Sequence, residues 1–120
     1  MCGIAGYAGL NTSFVKDGAK KLEAMSKLIA HRGPVGFGVW EAPACSAGFA
    51  HRRLSILDLS LAGAQPMEGQ NETVICHNGE VYNYLELREK LSSGWRFKSH
   101  TDTETILAAY AKYGLDCVTH

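Results

Sequence analysis

The 120-residue sequence has no Cys-x-x-Cys pair, no two histidines at i, i+4, and no run of like charges. It also has no apolar stretch approaching the roughly 20 residues that cross a bilayer as a helix. The missing Cys and His spacings exclude a zinc knuckle and a thioredoxin-like redox motif. Any metal site built from the five histidines would have to be gathered from distant segments, and none is expected. Twelve Lys plus Arg balance twelve Asp plus Glu, so there is no electrostatic footprint for nucleic acid or an anionic membrane surface. The first ten residues carry no basic segment ahead of an apolar one, so a cytoplasmic protein is expected. In that setting Cys2, Cys45, Cys76 and Cys117 read as reduced thiols, a two-disulfide framework being the alternative.

What is present is ordinary for one globular domain: 46% hydrophobic, 20% charged and 9% aromatic residues. Glycines 3, 6 and 9 among apolar neighbours suit a strand over 2–9 that something approaches closely. Apolar positions Val15, Leu22, Met25, Leu28 and Ile29 predict a helix over 13–30, capped from Asn11, Thr12 or Ser13 and stopped by Gly33 and Pro34. Residues 37–41 and 47–51 read as strands joined at Ala42-Pro43-Ala44, and 53–59 alternates as another. A loop over 61–70 precedes the strand of the β-branched run 73–75, which ends at Asn78-Gly79. A surface helix over 82–91, a strand over 95–98 and a helix opened by a Thr101/Glu104 capping box and stopped at Gly114 complete the reading. Short turns between strands favour antiparallel layers covered by helices over a doubly wound parallel sheet, an α+β architecture. Residues 115–120 begin an element without finishing it, so the chain is expected to be truncated.

Four features could carry chemistry. Once Met1 is removed, Cys2 owns a free α-amine whose ordinary pKa of about 7.7 to 8.0 lies just below the ordinary thiol value of about 8.5, so one residue can supply nucleophile and base. The alternative is a small buried hydrophobe. Asn78 and Gly79 offer a side-chain amide and an unhindered N–H able to bond an oxyanion, but Asn-Gly is also a common two-residue hairpin turn. Arg52 and Arg53, read as opening a strand, could hold a carboxylate by paired bonds or could be solvated edge charges. Asp102 could accept from an ammonium, or could be a first-turn acid favoured by the helix dipole.

In order along the chain come Met1-Cys-Gly-Ile-Ala-Gly6, His31-Arg-Gly-Pro34, His51-Arg-Arg-Leu-Ser-Ile-Leu-Asp-Leu-Ser60 and Ala62-Gly-Ala-Gln-Pro-Met67. Asn78-Gly-Glu-Val-Tyr-Asn83, Glu86-Leu-Arg88 and Thr101-Asp-Thr-Glu104 follow. Together these motifs resemble the class II, N-terminal-nucleophile glutamine amidotransferases, and within them the glutaminase domain of the asparagine synthetases. The resemblance covers almost the whole chain. It implies an N-terminal-nucleophile-hydrolase-like four-layer αββα sandwich with mostly antiparallel sheets, of which residues 1–120 are the N-terminal part. It implies Cys2 as the nucleophile that forms a glutamyl thioester, Asn78 and Gly79 as the oxyanion hole, Arg53 on the α-carboxylate of L-glutamine, and Glu80 and Asp102 on its α-amino end. Ammonia would pass to a synthetase domain, in cis or on another chain, that amidates aspartate to asparagine. ATP and Mg would belong to that domain; no cofactor is expected in this chain.

Two segments depart from the family pattern. Val35 and Gly36 stand where two acidic residues usually follow His-Arg-Gly-Pro, and His77 stands where an aromatic or apolar residue usually precedes Asn78. The competing reading is a truncated, non-catalytic amidotransferase-like module that binds a partner chain or glutamine without turnover. A metal-binding protein is a third, and stoichiometric zinc would be its signature.

Overall fold

The structure is a computed structural model that describes residues 2–9, 15–44, 46–54 and 60–120. The chain divides into two compact units, Met1–Ser55 with Ala64–Pro66 and Cys76–Asn78, and Ile56–Gly63 with Met67–Ile75 and Gly79–His120.

Unit 1 is a three-stranded antiparallel sheet covered by one helix. Strands β1 (Gly3–Ala8), β2 (Gly36–Glu41) and β3 (Ala47–Arg53) stand in the order β1-β3-β2, so β3 is central. Gly3 faces Arg52 across one ladder and Gly36 faces Arg53 across the other. Helix α1 (Gly18–Leu28) lies over the sheet, with Leu22 and Ser26 fully buried on it. The approach is close at Gly48, where an added Cβ would sit 2.7 Å from Leu22 Cδ1. Arg52 turns toward the helix, donating from Nε to the Ser26 carbonyl at 3.0 Å and lying 5.0 Å over the Phe37 ring.

Three expectations change in unit 1. The helix begins at Gly18 and not at residue 13, because Asp17 has φ 55, a left-handed conformation that cannot continue a helix N-terminally. The expected caps Asn11, Thr12 and Ser13 lie outside the described residues. Arg52 and Arg53 close the central strand β3 and do not open one; the strand expected over 53–59 lies beyond Leu54 in residues outside the described set. A central strand also removes the edge-charge reading of these arginines.

Unit 2 holds a two-stranded antiparallel sheet, β4 (Met67–Glu68) with β5 (Val74–Ile75), and helices α2 (Tyr84–Leu91) and α3 (Asp102–Tyr113). The hairpin turns at Asn71 and Glu72, both at positive φ (53 and 58), with Thr73 N–H on the Gln70 carbonyl at 3.1 Å. Positive φ at both central residues is the type I′ geometry that suits the twist of a hairpin. The two-residue turn is therefore here, and Asn78-Gly79 lies in irregular chain between β5 and α2. The core packs Leu87 and Leu91 of α2 against Ala108 and Ala109 of α3, with Trp95 and Phe97 beside them.

The strand expected over 95–98 is not formed. Its alternation survives in burial, Trp95 and Phe97 half-buried and Arg96 and Lys98 exposed. Its backbone is used otherwise: Trp95 N–H closes on Leu91 O at 3.1 Å, and Lys98 N–H turns to the Glu104 carboxylate at 2.9 Å. Thr101 caps α3 as expected, accepting from Glu104 N–H at 3.2 Å, but the reciprocal half of the capping box is absent. Thr101 N–H instead donates to Ser99 Oγ at 3.3 Å, because the Glu104 side chain is held by residues 95–99. Gly114, φ 61, ends α3, and residues 114–119 form a 3-10 turn.

Among the described residues no group of three or more His, Cys, Asp or Glu is placed to hold a metal ion. No described helix is long and apolar enough to cross a membrane.

Candidate functional site

Cys2 is half-buried at the start of β1. Pairing of β1 with β3 brings its sulfur to the backbone of Leu54, which donates its N–H to Sγ at 3.4 Å and accepts from the thiol at 3.7 Å. Leu54 directly follows Arg53, so nucleophile candidate and carboxylate-clamp candidate stand at the same end of neighbouring strands. The backbone of Cys2 is fixed separately, its carbonyl accepting from Arg32 Nε at 3.1 Å. Arg32 belongs to the His-Arg-Gly-Pro motif, but no local sequence signal announces this bond, which depends on residues thirty positions apart meeting in the fold.

His51 lies two residues before Arg53, on the same strand and the same face. It is fully buried, and neither ring nitrogen has a hydrogen-bond partner of good geometry. Burial lowers its pKa from the usual histidine value; the nearby His77 backbone favours the protonated ring, but the positive charge of Arg53 and the His77 ring oppose it. The ring is therefore kept neutral.

Asn78 is exposed at the end of unit 1. The chain just before it is anchored by Gln65, whose Oε1 accepts from His77 N–H at 2.6 Å. Of the departures from the family pattern, the Val35 side chain is 64% exposed and a Cβ at Gly36 would meet nothing, while their backbone stands against Arg53, the Val35 N–H donating to its carbonyl at 3.2 Å. His77 contributes its backbone to the Gln65 tie.

In unit 2, Gly79 and Glu80 are exposed while Asp102 is 5% exposed at the first turn of α3. Asp102 Oδ2 accepts from Val81 N–H at 2.9 Å, which brings the Gly79-Glu80 segment to the head of the helix. The helix-dipole reading of Asp102 holds as far as position goes, but the carboxylate also organises a second segment. Glu104, expected only as a cap, is the residue that the sequence reading undervalued. Burial pushes its pKa up, yet hydrogen bonds from Ser99 Oγ, the Lys98 and Ser99 N–H groups and Trp95 Nε1 outweigh that and leave it lowered. A cleft of about 430 Å³ in this unit is lined by Met67, Trp95, Arg96 and Lys98 among others, and contains none of the expected site residues.

Cys2, Arg53 and Asn78 thus belong to unit 1, and Gly79, Glu80 and Asp102 to unit 2. Within each unit the structure joins one expected pair, Cys2 with Arg53 through Leu54 and Glu80 with Asp102 through Val81.

The whole chain, residues 1–120, matches the family described as glutamine amidotransferase domain. It is 41% identical to asparagine synthetase B (glutamine-hydrolysing) of Escherichia coli over 95% of this chain and 20% of that protein. It is 40% identical to asparagine synthetase (glutamine-hydrolysing) 1 of Bacillus subtilis over 94% of this chain and 18% of that protein. The amidase Chry2 of Gibberella zeae is 37% identical over all of this chain and 19% of that protein. The chain spans between 18% and 25% of the length of the first curated relatives it matches.

Proposed function

This chain belongs to the glutamine amidotransferase domain family, and from that premise we propose that it hydrolyses the side-chain amide of L-glutamine at Cys2. The observation that carries the reading is the meeting of Cys2 Sγ with the backbone of Leu54, which sets a thiol beside Arg53 at the end of the central strand. With Met1 removed, the Cys2 α-amine takes the thiol proton and the thiolate attacks the carboxamide carbon. The oxyanion that forms accepts from the Asn78 side-chain amide and the Gly79 N–H. The proton held by the amine goes to the departing nitrogen, ammonia leaves, and a glutamyl thioester remains. Water then cleaves the thioester, returning the thiol and releasing glutamate.

Substrate choice rests on both ends of the amino acid. Arg53 takes the α-carboxylate by parallel N–H bonds. Asp102, with Oδ2 already on Val81 N–H, offers Oδ1 to the α-ammonium beside Glu80. Such fixed charges select free glutamine over a glutaminyl residue in a peptide. A reducing cytoplasm would keep Cys2 as a thiol. We extend the reading to the four-layer αββα sandwich of N-terminal-nucleophile hydrolases, with residues 1–120 as its N-terminal part. The ammonia would go to a synthetase domain, in cis or on another chain, that uses ATP and Mg to amidate aspartate; no residue of this chain is assigned to those ligands. The names of the relatives include asparagine synthetases and an amidase, and aspartate is the acceptor we favour.

The test is the intact mass of the chain before and after a diazo-ketone analogue of glutamine, with Cys2→Ala alongside. Loss of Met1 and one adduct that vanishes in the alanine variant is the expected result. A processed chain that takes no adduct, or one that keeps Met1, would overturn glutamine hydrolysis by this chain and favour the non-catalytic module.

A further inference from the structure

Glu104 and Arg88 grip one loop, residues 98–101, from opposite ends of its peptide dipoles. The Glu104 carboxylate, 4% exposed, accepts from Ser99 Oγ at 2.6 Å, Ser99 N–H at 2.7 Å, Lys98 N–H at 2.9 Å and Trp95 Nε1 at 3.2 Å. The Arg88 guanidinium donates to the Ser99 carbonyl at 2.6 Å and the Thr101 carbonyl at 3.1 Å, and lies 3.9 Å over the Phe97 ring. The Lys98 and Ser99 N–H groups therefore end on an anion, and the Ser99 and Thr101 carbonyls on a cation. A buried carboxylate without a direct cationic partner is unfavourable unless several donors surround it. Here two of the donors are backbone N–H groups of the loop, Lys98 and Ser99, and two are the side chains of Ser99 and Trp95.

These bonds are not what makes α3 a helix. Its N-terminus is already capped by Thr101 Oγ1, which uses the Glu104 backbone N–H and not its side chain. The residue that follows the gripped loop is Asp102, and Asp102 Oδ2 in turn holds Val81 N–H at 2.9 Å, one residue after Glu80. The chain of contacts runs from Glu104 and Arg88 through 98–101 to Asp102, and from Asp102 to the segment 79–81.

We propose that Glu104 and Arg88 are positioning residues for the ammonium end of the glutamine site, holding the 98–101 loop so that Asp102 and Glu80 converge on one point. The assignment rests on the glutaminase reading above for its substrate, though not for its geometry. Neither side chain touches glutamine. Both act through Asp102, so their loss should weaken substrate binding while leaving the reaction of the bound complex intact.

The experiment uses the 120-residue chain with the diazo-ketone analogue as the probe, and compares Glu104→Gln and Arg88→Lys with the parent. Labelling of Cys2 is followed as a function of probe concentration. In both variants the half-saturating concentration is expected to rise about tenfold, with the maximal labelling rate within about twofold of the parent. Iodoacetamide, which has neither end of the amino acid, should label Cys2 at the parent rate. Hydrogen exchange supplies the second readout: the Val81 amide should exchange faster in both variants while Leu91 and Ala108 stay protected. Parent-like half-saturation in folded variants, or parent-like Val81 exchange, would overturn the proposal. So would collapse of Leu91 and Ala108 protection in both variants, which marks a role in folding alone. If the parent chain shows no saturable labelling, it is the glutaminase reading that fails, and Val81 exchange then decides the frame by itself.

Discussion

The two units hold their candidate residues by different means. In unit 1 the positions come first from the backbone: Cys2 meets Leu54 because β1 and β3 pair in one register, and Arg53 stands where the central strand ends, with the uncharged Gln65 and the Arg32 guanidinium adding single ties to the His77 N–H and the Cys2 carbonyl. Among the described residues there, the buried ring nitrogens of His51 and the Ser26 hydroxyl have no hydrogen-bond partner of good geometry. In unit 2 the positions come from side chains, with Asp102 on Val81 N–H and Glu104 and Arg88 on the loop before it. A register-held site is broken by anything that obstructs the backbone and is indifferent to most side-chain changes. A network-held site is broken by removing one charge.

The largest effect should come from a methyl group in unit 1. A Cβ at Gly33 would collide with the Arg52 carbonyl and lie 2.6 Å from Arg53 N, main-chain atoms that cannot rotate away. Gly33→Ala should lower stability by more than about 3 kcal/mol and detach the end of β3. A near-parent thermal midpoint would show that the register is not what seats Cys2. Next comes Glu104→Ala, which strips the acceptor from the Ser99 and Lys98 N–H groups. Unfolding in urea should report a loss of about 2 to 3 kcal/mol, since each bond to a charged partner is strong but the freed donors can partly rehydrate. Trp95 fluorescence should follow that transition, because its indole N–H shares the same carboxylate.

Acid should separate the units by the pH at which each weakens. His51 has a pKa lowered in the fold, chiefly by burial. Its contribution is therefore complete above the unfolded value near 6.5 and is lost as pH falls from there toward the folded value, by at most about 1.4 kcal/mol per pH unit. Glu104 is also lowered, so its contribution is present above the unfolded carboxylate value near 4.3 and fades only below it. Between about pH 6.5 and 4.5, with exchange corrected for the slower intrinsic rate in acid, the protection of β3 amides should fall while that of the 98–101 loop is kept. Replacing His51 with Phe should remove that window; unchanged protection of β3 amides in the parent at pH 5 would mean the ring is not held neutral.

What could be read beforehand followed from how local each cause is. The Thr101 cap, the Gly114 stop, α2 and the strand residues 37–41 and 47–51 depend on neighbours in the chain, and they were legible. Apolar spacing places the α1 start too early because it continues through Val15, while Asp17 takes a left-handed turn that no spacing signals. Residues 95–98 kept the alternation expected of a strand but found no ladder, their N–H groups going to Leu91 O and Glu104. The candidate residues come from the chemistry that thiol, guanidinium and carboxylate side chains offer and, for the choice of Arg53 and Glu80, from the family motifs. Their partners were not legible: Leu54 for Cys2, Val81 for Asp102 and Ser99 for Glu104 are set by folding.

The smallest expected effect concerns Cys76, and it sharpens the description of unit 1. This thiol is half-buried, and burial pushes its pKa up to about 12. Near pH 8 only about one molecule in ten thousand would carry the thiolate that alkylating reagents attack, whereas Cys2 lies at the strand end. Mass mapping after brief iodoacetamide treatment should find Cys2 modified and Cys76 intact, and Cys76→Ala should alter the Cys2 labelling rate by less than about twofold. Cys76 immediately precedes His77, whose N–H is tied to Gln65, so its protection reports whether the chain leading to Asn78 stays shut. Ready alkylation of Cys76 would mean that this segment opens on the timescale of labelling. Asn78 would then be delivered by a moving segment, and the division between a register-held and a network-held half would fail at the residue assigned to the oxyanion.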